Sequence, residues 1–271
     1  RYNAGGADVL SASIETRSRD FSPIGTGLPF NPYRYIAGAS YSATISDTVY
    51  AGLDARYSRG RDDEPDVGSL RATGGWQISP RLNLTGDFGY DRVGGHNRLS
   101  AFFSLVFRFD RSSSLRADYD SRGGRKRLTY QTYHGTGTGA YNFSADIEHS
   151  DVGIVTGANG TLFSNRAELG FSHFGAFEGD LGGSTSQRTS LRFGTALAVA
   201  DGAFSVGRPI QDSFAIVSPH ASLRGTDILI EPTGRSAAAN SGALGTALQP
   251  SLSRYSERNL LITAPDAPLN T

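Results

Sequence analysis

The feature of this sequence that most restricts its fold is a period of two. From Asp8 to about Gly207, segments of roughly nine to twelve residues alternate apolar or aromatic with polar or charged side chains, and each ends in a short turn-like group. In the clearest segment Leu82, Leu84, Phe88 and Tyr90 share one face while Asn83, Thr85, Asp87 and Gly89 take the other. Successive side chains of a strand point to opposite faces, so one face is greasy and the other wet. The pattern recurs in Ala101, Phe103, Leu105, Phe107 and Phe109 against Phe102, Ser104, Val106, Arg108 and Asp110. Leu115, Ala117 and Tyr119 oppose Arg116, Asp118 and Asp120, and Tyr141, Phe143, Ala145 and Ile147 oppose Asn142, Ser144, Asp146 and Glu148. Ala167, Leu169 and Phe171, then Leu191, Phe193, Leu197 and Val199, extend it. About a dozen such segments precede Pro209.

Between the segments lie flexible groups: Gly94-Gly95-His96-Asn97, Ser121-Arg122-Gly123-Gly124, Gly135-Thr136-Gly137-Thr138 and Gly182-Gly183-Ser184. Neighbours joined this way pair antiparallel. Longer polar connections at Phe21 to Pro32 and Arg59 to Asp66 predict loops on one side and tight turns on the other, the habit of outer-membrane barrels. Tyr33, Tyr35, Tyr50, Tyr57, Trp76, Tyr90 and Tyr133, near strand ends, are candidates for interfacial girdles.

Thirty-four Gly and 11 Pro leave little room for long helices. Nowhere do about eighteen apolar residues run together, which excludes an ordinary membrane-spanning helix but not a β-barrel. With 26 Lys plus Arg against 26 Asp plus Glu, there is no whole-chain electrostatic case for nucleic acid. The absence of cysteine excludes a disulfide scaffold and thiolate zinc. With no methionine and no apolar leader after Arg1, the chain is expected to be mature or a fragment. The expected fold is all-β: a partial, up-and-down, antiparallel transmembrane β-barrel of about a dozen strands, followed by a small β-sandwich-like domain. A soluble β-sandwich shares the alternation, but a dozen hairpins in a row would overfill it. After Pro209 the strands shorten and Ser, Ala, Gly and Pro rise, which places a boundary between residues 1–208 and 209–271.

At this boundary the run GTALAVADGAFSVGRPIQDSFAIV, Gly194 to Val217, resembles the passage of fimbrial outer-membrane ushers from their last barrel strands into a periplasmic C-terminal domain. The preceding Gly183 to Arg192 and the following ALGTALQPSLSRYSERNLLITAPDAP, Ala243 to Pro268, are similar to the same family in the same order. Leu252, Tyr255 and Asn259, then an apolar strand and Ala264-Pro265-Asp266-Ala267-Pro268, resemble its closing pattern, with Ala267 where Leu is usual. Arg235 to Gly245 is Ala- and Ser-rich where the family usually has an Asp-Gly-type turn. The spore-coat-U or archaic type is a candidate branch. The specific motifs cover roughly residues 183 to 268, and the upstream strands add only a barrel pattern.

The resemblance implies a non-enzymatic pore without cofactor. It would take chaperone–subunit complexes from the periplasm and pass pilus or coat subunits across the outer-membrane lipid by donor-strand exchange. Under it, Arg108, Asp110, Arg116, Asp118, Asp120, Asp146 and Glu148 would line a hydrated pore. Arg224, Arg254, Tyr255, Glu257 and Arg258 would hold the chaperone–subunit complex, and Gly207, Arg208, Pro209, Asp212, Ser213 and Phe214 would form the junction. The alternatives are a stand-alone porin or autotransporter-type barrel and a soluble β-sandwich adhesin.

No catalytic constellation stands out. His149, Ser150 and Asp151 are adjacent and point apart, unlike a hydrolase triad. The five His lack metal-ligand spacing. Arg61 to Asp66 lacks the ligand register of a calcium loop, and Arg122 to Arg127 reads as a basic hairpin tip.

Overall fold

The computed structural model describes residues 8–19, 32–179, 183–223, 225–234 and 236–267. Arg224, Arg235, Gly182, Pro268 and nearly all of the Phe21 to Pro32 connection lie outside the described residues. The chain is all-β, its only helical pieces being single 3-10 turns at Ala221–Leu223 and Gly242–Leu244 among the described residues.

Twelve strands form one antiparallel sheet in which each pairs with its sequence neighbours. They are β1 (Val9–Thr16), β2 (Tyr33–Ser46), β3 (Val49–Gly60), β4 (Val67–Ser79), β5 (Leu82–Val93) and β6 (His96–Arg108), then β7 (Ser113–Asp120), β8 (Arg125–Tyr133), β9 (Tyr141–Ser150), β10 (Gly153–Phe163), β11 (Glu168–Phe177) and β12 (Ser184–Gly194). Among the described residues no pairing joins β1 to β12. By its contacts the chain divides into two compact units: Arg1–Thr129 with Glu148–Gly153, and Tyr130–Ile147 with Ile154–Thr271.

Register carries the alternation from strand to strand. Leu84 lies opposite Trp76 on one side and Leu105 on the other, Phe88 opposite Ala72 and Ala101, and Tyr90 opposite Leu70 and Leu99. The Phe88 and Phe103 rings meet edge to face at 5.1 Å. Residues of opposite parity bring Asp54 against Arg71 and Asp87 against Thr73. A slip by one residue would invert every face, so each hairpin constrains the next.

This sheet is packed inside out relative to a water-soluble one. Its large apolar side chains are exposed, Leu99 at 78%, Phe88 at 53% and Trp76 at 50%. The side chains it buries are small and polar: Ser58, Ser100, Ser104 and Thr132.

The turns follow local chemistry. Gly94 and Gly95 take φ of 56° and 85°, the pair of positive angles that a two-residue type I′ hairpin requires. Tight turns are not confined to one end of the first unit. Asp47-Thr48 and Pro80-Arg81 close one end, while Gly94-Gly95 lies at the other beside the Arg61 to Asp66 loop, where Gly94 N–H donates to Asp66 O at 3.4 Å.

In the second unit, β12 runs through Thr195 directly into β13 (Ala196–Ala200), which pairs with β14 (Ala203–Gly207). Beyond it β15 (Ser213–Val217) pairs with β18 (Ala247–Leu252), while β16 (Leu229–Ile230) sits between β17 (Ala239–Asn240) and β19 (Ile262–Thr263). Ile230, Ala239 and Ala247 form a small core with Val217 against it. Replacing Ile230, which is fully buried, by Ala is expected to lower the protection of the β16 and β17 amides by about 2–5 kcal/mol. Native-state hydrogen exchange should show that loss with β1 to β7 unchanged.

Candidate functional site

Two sets of polar residues carry the site: the wet face of the sheet and the junction that follows β12. On the wet face, register sets Arg108 opposite Ser114, Arg116 opposite Val106, Asp118 opposite Ser104 and Asp120 opposite Phe102. Arg108, Arg116, Asp118 and Asp120 therefore share a face. Arg116 Nε donates to Asp118 at 2.7 Å, and Asp120 accepts from the Arg122 N–H at 2.9 Å and from Arg125 at 3.4 Å. Asp110 lies in the β6–β7 turn, accepting from Ser112 N and Oγ, both at 2.7 Å, and from Ser113 N at 2.8 Å. Those bonds, the Ser112 hydroxyl foremost, hold its carboxyl below the usual carboxylate range. Asp146 and Glu148 are half-buried on β9, Asp146 filling space left by Gly157, where a Cβ would lie 2.8 Å from its Oδ1. The same parity adds Arg71 and Asp87, paired at 3.4 Å, which sequence reasoning did not assign to the pore.

In the Arg61 to Asp66 loop the carboxylates turn to nearby donors. Asp62 pairs with Arg19 at 3.2 Å. Asp66 accepts from the Tyr57 hydroxyl at 2.7 Å, Gly60 N at 3.0 Å and Arg59 at 2.6 Å. Among the described residues no group of three or more His, Asp or Glu is placed to hold a metal ion.

At the junction, two arginines gather backbone carbonyls from several segments of the chain. Arg166 sits in the turn between β10 and β11. It donates through Nη1 to Val206 O at 2.6 Å and Thr246 O at 3.1 Å, and through Nη2 to Ser241 O. Beside it, Asn165 Nδ2 donates to Asn240 O at 2.8 Å and the Asn240 N–H returns a bond to Asn165 Oδ1 at 2.9 Å. Thr195 Oγ1 lies 2.8 Å from Arg166 O and 3.2 Å from Gly207 O.

Arg208 donates to Thr136 O and, at 2.8 Å, to Ala238 O, with its guanidinium carbon 5.5 Å from the centre of the Phe163 ring. The loop before β9 docks on the same segment, with Thr138 N donating to Ala237 O at 2.7 Å and Ser236 Oγ to Thr138 O at 3.0 Å. Desolvation pulls both guanidinium groups below the usual arginine range, with the Glu168 carboxylate opposing it at Arg208. A planar fork of five donors suits the task of satisfying several carbonyls at once.

The remaining junction residues close the site. Gly207 faces Leu248, where a Cβ would meet Cδ2 at 2.6 Å, and Pro209 lies over Gly194. Ser213 Oγ donates to Leu252 O at 2.8 Å, and the β15–β18 register shifts around Phe214. Asp212 ion-pairs with Arg254. No protein-family model and no curated protein matches the chain.

Of the residues predicted to hold a partner, Arg254 is thus tied to the junction. Tyr255 is wholly exposed with φ of 53°, Glu257 is exposed, and Arg258 reaches the wall of a cleft beside Arg208. Arg224 lies outside the described residues. Sequence reasoning named Arg208 but missed Arg166, Asn165 and Thr195, since a turn arginine carries no signal until the chain folds against it.

Arg166→Met is expected to cost about 1.5–3 kcal/mol locally by leaving carbonyls without a charged donor. Hydrogen exchange should report it as lost protection across residues 240–246. A second expectation concerns acid. The Asp66 carboxyl is held below its ordinary value of 3.8, chiefly by the Tyr57 hydroxyl, then by Gly60 N–H and Arg59. A depressed folded pKa gives stability that is present above the unfolded value and lost as pH falls through the folded one. The protection factors of the loop amides, with intrinsic exchange divided out, should therefore fall as pH drops below 3.8, and Asp66→Asn should remove that dependence.

Proposed function

We propose that this chain is the later part of an outer-membrane usher, a pore that receives chaperone–subunit complexes and passes pilus or coat subunits to the cell surface. The observation that carries this reading is the inside-out sheet. Exposed Leu, Phe, Tyr and Trp on one face suit lipid, and a face of small polar residues and charges of both signs suits a wet lumen. The resemblance over residues 183 to 268 supports the usher family in particular.

In this reading β1 to β14 belong to a transmembrane barrel closed by further strands. An open edge in lipid would leave unpaired backbone groups at several kcal/mol each. The exposed Leu197, Val199 and Phe204 of the β13–β14 hairpin continue the apolar face of β12. Residues 209–271 are the start of a sandwich-like periplasmic domain.

Arg108, Arg116, Asp118, Asp120, Asp146 and Glu148, with Arg71 and Asp87, give the lumen a hydrated wall without an adhesive apolar patch. The exposed Tyr255, Glu257 and Arg258 present a surface to the chaperone–subunit complex. Exchange of one donor strand for another supplies the driving force through backbone pairing and pocket filling, so neither nucleotide nor covalent chemistry is needed.

In cells lacking the native protein, a full-length version without residues 209–271 should still fractionate with the outer membrane while subunit assembly at the surface is abolished. Intact assembly with altered small-solute permeability would instead favour a porin, and a chain that stays soluble without detergent would favour an adhesin module.

A further inference from the structure

In the first unit the apolar face of the sheet is not level. Register places Ala51, Gly74, Gly86 and Phe103 in one row across β3 to β6, and Leu53, Ala72, Phe88 and Ala101 in the next. Where the small side chains meet, a hollow of about 360 Å³ opens, walled by Trp76, Leu84, Phe88 and Phe103. A Cβ at Gly74 would meet only the Tyr50 carbonyl oxygen, at 3.6 Å, so the floor has room to spare. A second hollow, of about 500 Å³, shares Ala72 and Phe88 with the first and reaches Leu70, Leu99 and Tyr90. Together they make a trough that follows the strands.

The trough has the length of one leaflet. From Leu84 to Tyr90 the strand advances by six residues, about 20 Å along its axis. At the usual tilt of a membrane barrel that is about 15 Å of depth, half of a bilayer's hydrocarbon. One row beyond Tyr90, register aligns Tyr57, Gly68, Arg92 and Asn97. The Tyr90 hydroxyl donates to Asn97 Oδ1 at 3.0 Å, which joins the wall of the trough to this polar rim. Gly68 sets no side chain between Tyr57 and Arg92.

Charge at the rim has one sign. On the apolar parity of β3 to β6 the charged residues are Arg59 and Arg92, with no Asp or Glu. Arg59 is taken by Asp66 at 2.6 Å. Asp91, next to Arg92 in sequence, faces the wet side opposite Arg98. The Arg92 guanidinium is exposed and has no hydrogen-bond or ion-pair partner among the described residues.

We propose that the trough holds one acyl chain of an anionic phospholipid whose headgroup phosphate sits on Arg92. A hydrocarbon chain fills an apolar hollow with the dispersion contacts that an empty one forfeits. A guanidinium suits a phosphate, by charge and by its planar set of donors. A zwitterionic lipid would add an ammonium for which this rim offers no free carboxylate. The inference rests on the membrane reading of the sheet and adds to it a preferred lipid.

Trp76, the single tryptophan of the chain, stands half-exposed in the trough wall and reports what lies there. The full-length protein is reconstituted in phosphatidylcholine vesicles with a graded fraction of phosphatidylglycerol or phosphatidylcholine brominated near the chain ends. Trp76 fluorescence is read by subtracting the signal of a Trp76→Phe variant. Brominated phosphatidylglycerol is expected to quench at an about five-fold lower mole fraction than brominated phosphatidylcholine, the effect of one arginine at a membrane surface. Arg92→Gln should bring the two curves together. Gly74→Leu, which fills the floor and leaves Arg92 in place, should do the same. Equal quenching by the two lipids in the unaltered protein, or a preference that survives either substitution, would overturn the proposal and leave the membrane reading intact. A Trp76 quenched by neither lipid would overturn both.

Discussion

The twelve-stranded sheet depends on the ladder of backbone hydrogen bonds between sequence neighbours. Because side chains alternate with a period of two, the ladder fixes register and the face of every residue at once. Where register shifts occur among the described pairs of the large sheet, they fall near strand ends, at Tyr33/Tyr35, Thr44/Ser46, Gln77/Ser79 and Ala176/Phe177. The described strand interiors hold one register. That is why the apolar positions of β4, β5 and β6 align into a continuous surface instead of a checkerboard.

The smaller sheets after β12 obey a different economy. Their strands are short, Leu229–Ile230 and Ile262–Thr263 being two residues each, and their core is limited to a few side chains around Ile230. Such a unit cannot rely on apolar burial alone, since small cores supply little stability. Side chain to backbone bonds add to it, five of them from Arg166 and Arg208. The chain has a single lysine, Lys126, among its 26 basic residues. A lysine at position 166 or 208 would offer one ammonium where the planar fork reaches two or three carbonyls.

Much of the fold was legible in the sequence because alternation is a local signal. Leu82 to Tyr90 and Ala101 to Phe109 reveal their faces without knowledge of their partners, and Gly94-Gly95 marks a hairpin by its own conformational needs. The wet-face residues were partly visible: Arg116 and Asp118 fall on the polar parity of their own strand, whereas the Arg71–Asp87 pair needs the β4–β5 register. The junction was visible only through resemblance. Asn165 and Asn240 stand 75 positions apart, and neither carries a local mark of the bond between them.

The passage through Thr195 has a mechanical consequence. One continuous strand gives its first half to β11 and its second half to β14, and no loop separates them. A tug on the β13–β14 hairpin would thus travel along covalent backbone into β12 and load the ladder with β11 in shear. Antiparallel strands pulled lengthwise must break many hydrogen bonds together, not unzip them one at a time. The terminal segment is therefore attached as a tie rod is attached, stiff to tension along the strand.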